Sequence, residues 1–463
     1  MTFSVFTPSN GSEIAAVPDM DAVDAVDAIK AASIAFKNWS SVASKERAAL
    51  LRRWFDILEL NTLEIARVIA LESGKPLQEA VAEVAYGNAF VEMFAGEATR
   101  IMGETMTSGD NTKQYFYLRE PVGVVALITP WNFPHTLILR KAAAALAAGC
   151  SCVVKPAEDT PLTALALAST LQQAGFPKGV FNVITSSRLK TPSVGKVFCE
   201  HTSVAAVSFT GSTNVGKLLY SQCANTVKRL SLELGGNSPF IVFPSADVDL
   251  AVNSALTSKF RNCGQVCVSP NRFLVHRKLF SKFVDQLTWR MKYDLTIGSN
   301  FDPLTNIGPL INQGQFTKVK RLVEDAVTKG AKLHIGGRPA NYCGPLYYEP
   351  TLLTRVHSNM DILSQEIFGP VVVCIPFDTE EEAITLAHDT TQGLAGYFFT
   401  QDMEQMWRVA RRLEVGMVGV NGAQLSCPQV AFGGIKQSGF GREGAHFGIH
   451  EFTFVKTVCF QNS

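Results

Sequence analysis

The chain has 463 residues, 46% hydrophobic and 18% charged, with 42 basic and 41 acidic side chains and a net charge of +1. That length exceeds one ordinary core and predicts two or three domains, and the hydrophobic share excludes a disordered chain. The balanced charge gives no reason to expect nucleic acid or an anionic membrane surface as a partner. Ten cysteines run from Cys150 to Cys459 without a Cys-x-x-Cys pair, so neither a zinc site nor a thioredoxin-like motif is indicated. His446 and His450 are four apart, but Phe447 stands where a zincin has glutamate, and no metal is expected. The longest apolar stretch, Ala142 to Val154, falls short of the ~20 residues that span a bilayer.

Residues 1–20 hold a turn signal, Pro8-Ser9-Asn10-Gly11, between short apolar runs. Helical periods follow in Asp24–Trp39, Lys45–Glu59, Leu63–Glu72 and Pro76–Ala95, with Ser73-Gly74-Lys75-Pro76 as a stop and start. Lys113 to Arg119 reads as an aromatic strand. Then come an apolar strand from Val124 to Thr129, the turn Pro130–Pro134 and a helix from Leu137 to Ala148. Cys152–Pro156 is a strand, Pro161–Gln173 a helix, Val180–Ile184 a strand, and Val204–Phe209 a strand that runs into Gly211–Gly216 and another helix. Continuous apolar strands alternating with helices predict a parallel sheet covered on both faces, hence an α/β fold. Ligands of such sheets bind beyond the C-terminal strand ends, where Pro130–Pro134, Lys155–Asp159 and Gly211–Gly216 fall.

The alternation restarts at strand Pro239–Phe243 and runs on to Asn421. Asp247 is placed to cap a helix to Lys259 whose apolar face carries Leu250, Val252, Ala255 and Leu256. After it, Gly264 and Pro270 bracket a loop holding Cys267, with Lys259 and Arg261 near in sequence. Positive charge near in space as well would favour the thiolate, the reactive form. A buried, inert cysteine is the alternative from this loop alone.

Three motifs need weighing. Gly211-Ser-Thr-Asn-Val-Gly216-Lys217 nearly matches a phosphate loop, but Leu218 stands where a magnesium-binding Ser or Thr belongs. What survives is a glycine-bounded turn at a helix N-terminus, which favours a phosphate group. Gly439-Phe-Gly441-Arg-Glu-Gly444 matches a dinucleotide fingerprint without a strand before it, and is expected to be a tight structural loop. Glu233 is an acid inside an apolar strand end. Burial without a partner raises a carboxyl pKa toward a value useful for a general base. Arg140 and Arg261 are two guanidinium forks suited to a carboxylate if they converge.

Taken together these stretches resemble the NAD(P)-dependent aldehyde dehydrogenase superfamily over essentially the whole chain. The matching pieces are Thr129–Pro134, Lys155–Glu158, Phe209–Thr213 with Gly216, Glu233–Gly236, Gly264–Cys267, Glu366–Pro370 and Phe432–Gly434. Lys259–Asn262, Ile138–Arg140, Gly393–Tyr397, Trp407–Ala410 and Glu414–Asn421 look like the animal succinate-semialdehyde group within it. The resemblance implies an aldehyde dehydrogenase-like fold. Its NAD-binding domain would be 1–104 and 124–235, its catalytic domain 236–435, and its oligomerisation strands 105–123 and 445–463. It implies a homotetramer or homodimer, and oxidation of succinate semialdehyde or another acid-bearing aldehyde.

By the same resemblance, Cys267 is the nucleophile, Asn132 with the Cys267 amide holds the oxyanion, and Glu233 activates water. Thr129, Trp131, Lys155, Glu158, Gly211, Ser212, Gly216, Gly235, Glu366 and Phe368 would contact the cofactor. Arg140, Arg261 and Ser426 would grip the substrate carboxylate. Glu158 can accept from both ribose hydroxyls and would repel a 2′-phosphate, so NAD is expected rather than NADP. Ser269 stands where mammalian relatives carry a second cysteine, so their redox disulfide does not transfer; Cys263, four residues upstream of Cys267, is a weaker partner.

Overall fold

The computed structural model describes residues 1–461, so the last two positions of the expected 445–463 segment lie outside the described residues. The chain opens with an antiparallel hairpin, Thr2–Phe6 against Glu13–Pro18, built around the Pro8–Gly11 turn. Four helices follow, Ala22–Trp39, Ser44–Leu60, Thr62–Ser73 and Leu77–Glu97, close to the periodic runs of the sequence. Asp21 caps the first by accepting from the Val23 amide, and Asp24 completes a capping box.

Five parallel strands form the first large sheet. Their spatial order is Arg229–Glu233, Val204–Thr210, Val124–Ile128, Ser151–Lys155, Phe181–Val183, and Gly439–Phe440 adds an antiparallel edge beside Glu233. Ser151–Lys155 is buried at every position and Val124–Ile128 at all but the last, as strands covered on both faces must be. The direction of winding reverses between Val124–Ile128 and Val204–Thr210. Open α/β sheets leave a ligand crevice at such a point. The helix Pro134–Ala148 is buried along its whole length against Leu77–Glu97, which its alanine-rich surface permits.

A second sheet holds seven strands in the order Lys332–Ile335, Thr351–Thr354, Val371–Phe377, Arg272–His276, Pro239–Val242, Ala395–Phe399, Met417–Val420. All neighbours are parallel except the first pair. Strand Arg229–Glu233 leaves the first sheet, and after five intervening residues Pro239–Val242 enters the second, so the crossing segment runs between them. The helix Val248–Phe260 begins with Asp247 accepting from the Asp249 and Leu250 amides, as expected. Its inner face differs in one respect from the sequence reading: Leu250 is 42% exposed, and Val248 and Ala251 are buried in its place. Residues 248, 251, 252 and 255 fall on one side at 3.6 residues per turn, whereas 250 points away.

A third sheet pairs Thr453–Gln461 with Lys113–Pro121 in antiparallel register over nine residues, with Glu104–Thr107 on the far side. Leu118, Phe454, Val455 and Phe460 remain exposed on it. Among the described residues no helix is long and apolar enough to cross a membrane, and no group of three His, Cys, Asp or Glu could hold a metal ion.

Candidate active site

A cavity of about 300 Å³ opens where the first sheet's crevice meets the N-terminal edge of the second. From the first sheet come Pro130, Trp131 and Asn132, which follow strand Val124–Ile128, and Thr210, Gly211 and Ser212, which follow or end Val204–Thr210. These are the two strands on either side of the winding reversal. From the second region come Arg261, Val266, Cys267, Glu366, Phe368 and Ser426. Of the residues singled out in the sequence, Trp131, Asn132, Arg140, Gly211, Ser212, Gly235, Arg261, Cys267, Glu366, Phe368 and Ser426 share this cavity. Thr129, Lys155, Glu158, Gly216 and Glu233 do not line it.

The Cys267 loop is shaped by an unusual backbone. Asn262, Cys263 and Gly264 take φ of 50°, 55° and 74° in succession, a left-handed run that two non-glycine residues adopt at some cost. Glycine is required at 264, because a Cβ there would come within 2.2 Å of the Gly369 carbonyl oxygen. The crossing segment passes equally close: a Cβ on Gly236 would lie 2.6 Å from the Cys267 carbonyl oxygen. This contact ties the end of strand Arg229–Glu233 to the cysteine loop.

Cys267 is half-buried and a free thiol. Burial pushes its pKa up to about 12; Arg140 and Arg261 pull it down, while Glu366 and Glu233 push it further up. The sequence reading, in which nearby positive charge favours thiolate, is therefore corrected. The cations are in place, but desolvation outweighs them. Cys263 is also free and packs in the core below. The Asn132 side-chain amide donates to the Gln265 carbonyl at 3.1 Å, two residues before Cys267, and its oxygen has no protein partner.

Glu233 is buried, and neither of its carboxylate oxygens has a hydrogen-bond partner. Burial, with Glu443 nearby, pushes its pKa well above the usual carboxyl value, against the pull of Arg140 and Lys141. That is the direction expected from the sequence. One carboxylate oxygen sits close enough to Gly433 that a Cβ there would be 2.8 Å away.

The two arginines differ sharply. Arg140 is buried, ion-paired with Glu443, and stacked over Phe432 at 4.3 Å. Burial opposes its charge most strongly, but Glu443, Tyr86, Glu233 and Cys267 together outweigh it, so its pKa is raised. Lys141 pairs with the same carboxylate. Arg261 is exposed, lies 5.2 Å from the Phe133 ring centre, and has no carboxylate partner among the described residues. Beside them, the hydroxyls of Tyr86 and Ser426 share a hydrogen bond. Tyr86 escaped the sequence reading because it lies on an otherwise ordinary amphipathic helix.

Features suited to a dinucleotide surround the crevice. The Thr129 and Thr210 hydroxyls are buried without partners at the ends of the two switch strands. Ser212 caps the helix Thr213–Cys223, whose first amides face the crevice end, and Trp131 meets Phe368 edge-on at 5.5 Å. Glu366 accepts from the Gly236 amide at 3.0 Å; burial raises its pKa despite that bond and the charges of Lys318 and Lys259. Lys155 ends a buried strand with its ammonium 3.7 Å from Glu158, which is partly exposed. The Gly439–Gly444 segment begins as the short edge strand Gly439–Phe440, with Gly439 paired to Glu233, and then turns away as a structural loop.

A model of the aldehyde dehydrogenase family matches residues 1–458. The mitochondrial succinate-semialdehyde dehydrogenase of Rattus norvegicus is 50% identical over 459 residues, which is 99% of this chain and 88% of the relative. The solved succinate-semialdehyde dehydrogenase of Burkholderia pseudomallei superposes with a TM-score of 0.98 at 46% identity, covering 100% of this chain and 95% of that one. A solved NADP dependent enzyme of E. coli gives a TM-score of 0.98 at 43% identity, with 100% and 95% covered.

Proposed function

The chain belongs to the aldehyde dehydrogenase family, and from that premise we propose that it oxidises succinate semialdehyde to succinate with NAD⁺. One observation carries the reading: a cavity that holds a cysteine sulfur and the Asn132 turn also holds two guanidinium groups and a hydroxyl pair. The first two suit an aldehyde carbon and its oxygen. The others suit an anionic head a few carbons away.

In this reading the Cys267 sulfur attacks the aldehyde carbon, and the carbonyl oxygen takes up the negative charge of a thiohemiacetal. The Asn132 amide turns from the Gln265 carbonyl to that oxygen, together with the Cys267 backbone amide; such a donor is worth roughly 10²–10³ in turnover. The thiol is held neutral by burial, so its proton passes to solvent as the sulfur–carbon bond forms, and it is the proton released in the overall sum. A bound nicotinamide would supply the hydride acceptor that turns the cysteine adduct into a thioester. Glu233, freed from Gly433 by rotation, then takes a proton from the water that cleaves the thioester. Its raised pKa makes it a stronger proton acceptor than an ordinary carboxylate. The sum is aldehyde, NAD⁺ and water giving acid, NADH and a proton.

The preference for NAD⁺ rests on Glu158, which stands beside Lys155 at the end of its strand. A carboxylate there accepts from ribose hydroxyls and repels a phosphate. The exposed apolar side chains of the three-stranded sheet, Leu118, Phe454 and Val455 among them, would be covered in a homotetramer or homodimer. The function is tested by kcat/KM with NAD⁺ on succinate semialdehyde, on glutarate semialdehyde, and on butanal, which has the length of the first without its carboxylate. Equal values for butanal and succinate semialdehyde would overturn the reading.

A further inference from the structure

The turn that carries Asn132 is gripped from behind by a buried ion pair. Gly74 ends the helix Thr62–Ser73 in a left-handed conformation and turns the chain so that Lys75 enters the protein. The Lys75 side chain is wholly buried, and so is that of its ion-pair partner, Glu83. The Lys75 ammonium also donates to the Asn132 carbonyl at 2.7 Å and sits 4.3 Å from the Phe133 ring centre. The side-chain amide of Asn262 donates to the same carbonyl at 2.9 Å.

Glu83 completes the grip from the other side. It accepts from the amides of His135, at 3.0 Å, and Thr136, at 3.5 Å, while the Thr136 hydroxyl donates to the Glu83 carbonyl at 3.0 Å. These amides open the helix Pro134–Ala148, whose N-terminal residue Phe133 offers no side-chain cap. Glu83 thus supplies from a neighbouring helix the negative charge that a helix start favours. One turn earlier on that helix, Glu79 accepts from the Asn262 amide at 2.8 Å, which links the same cluster to the cysteine loop.

Burying two opposite charges is costly, and apolar side chains of similar volume generally serve stability as well or better. What a fixed ion pair does provide is a defined position for whatever it touches. Here it touches the turn bearing the Asn132 amide at Asn132 itself and the helix start just after that turn. We propose that Lys75, held by Glu83, is a positioning residue that fixes the Asn132 amide relative to Cys267 by gripping the Asn132 backbone carbonyl. The inference rests on the reading of Asn132 as the oxyanion donor. Loss of the grip leaves that donor misplaced while the cofactor crevice and the acid-binding end of the cavity stay as they are.

The test is a double-mutant cycle on Lys75→Met and Asn132→Ala, read as the single-turnover rate of NADH formation, with KM for aldehyde and cofactor measured alongside. Lys75→Met is expected to slow single turnover roughly ten- to a hundredfold, the scale of a misplaced reacting group, with both KM values within threefold. In the Asn132→Ala background the same change is expected to slow it less than twofold. A loss of the same factor in both backgrounds overturns the proposal, as does a wild-type rate for Lys75→Met. If Asn132→Ala itself leaves the rate unchanged, the oxyanion reading fails instead, and the positioning proposal falls with it. Asn262→Ala keeps the ion pair and removes the other donor to that carbonyl. Should Lys75→Met fail to fold, a loss with Asn262→Ala that vanishes in the Asn132→Ala background supports the grip on this carbonyl, and a loss that persists there refutes it.

Discussion

Replacing Arg261 by Gln removes one of the two guanidinium groups in the cavity and keeps most of the side chain's length. The structure makes Arg261 the more informative of the pair. Arg140 already answers the charge of Glu443, and Lys141 touches the same carboxylate, whereas Arg261 forms no ion pair among the described residues and is felt by Glu79 only through space. A hydrogen bond to a charged group is worth about 1.5–3 kcal/mol. Arg261 is exposed, so water weakens the contact, and the lower half of that range, about 1.5–2 kcal/mol, is the fair expectation. At 1.4 kcal/mol per tenfold, Arg261→Gln should lower kcat/KM for succinate semialdehyde by roughly ten- to thirtyfold. The assay is the initial rate of NADH formation, with butanal run beside succinate semialdehyde at low and high salt. The loss should fall mainly on KM, because the head group is gripped alike in ground and transition states, and it should shrink as salt rises. Butanal should change by less than about twofold, since it offers the guanidinium no charged partner. Equal losses on the two aldehydes would refute the assignment.

Three further outcomes are expected. Glu158→Ser removes the carboxylate beside Lys155 and leaves the ammonium to meet a 2′-phosphate, so the ratio of kcat/KM for NADP⁺ over NAD⁺ should rise by about tenfold or more; an unchanged ratio sinks the NAD argument. The Cys267 thiol is pushed up to about 12, so its alkylation by iodoacetamide without cofactor should accelerate steadily from pH 7 to pH 10, and a plateau near neutrality would contradict that. His135 is buried with both ring nitrogens unpartnered, and burial and then the charge of Lys75 lower its pKa to about 3. The unfolded imidazole protonates near its ordinary value of 6.5, so the stability this residue contributes is whole above pH 6.5 and is lost as pH falls toward 3, at about 1.4 kcal/mol per unit. His135→Leu should therefore flatten the fall in Tm between pH 6.5 and pH 5, and parallel falls in the two proteins would argue against the assignment.

Parallel strands announce themselves because both their faces must be apolar, and Val124–Ile128 and Ser151–Lys155 were legible for that reason. The helix Pro161–Gln173 was legible to the residue, with proline at its first position. The opening hairpin was not, because Val5 and Val17 are its only buried hydrophobic residues and so short a pattern carries no period. In the Cys267 loop, Gly264 and Pro270 marked irregular backbone, but nothing in Asn262 and Cys263 signals a left-handed conformation, which tertiary contacts impose. Lys75 reads locally as part of a helix stop and start, and nothing in the helical run after it marks Glu79, Glu83 or Tyr86 as inward-facing. Their places in the site follow from partners 57 residues away at Asn132, 183 away at Asn262 and 340 away at Ser426.

The charge state of Cys267 shows where a local reading stops. Arg261 stands six residues from the sulfur, and its effect has the direction that nearness suggests. Desolvation has the opposite sign and is larger, because it sums over everything packed around the cavity, from Trp131 and Asn132 to Phe432, most of it far from Cys267 in sequence. A pairwise attraction is visible from spacing, whereas a burial penalty belongs to the whole enclosure. The same reasoning separates the two arginines. Both are basic residues in matching motifs, yet Glu443, 303 positions beyond Arg140, commits one and leaves the other without an ion pair.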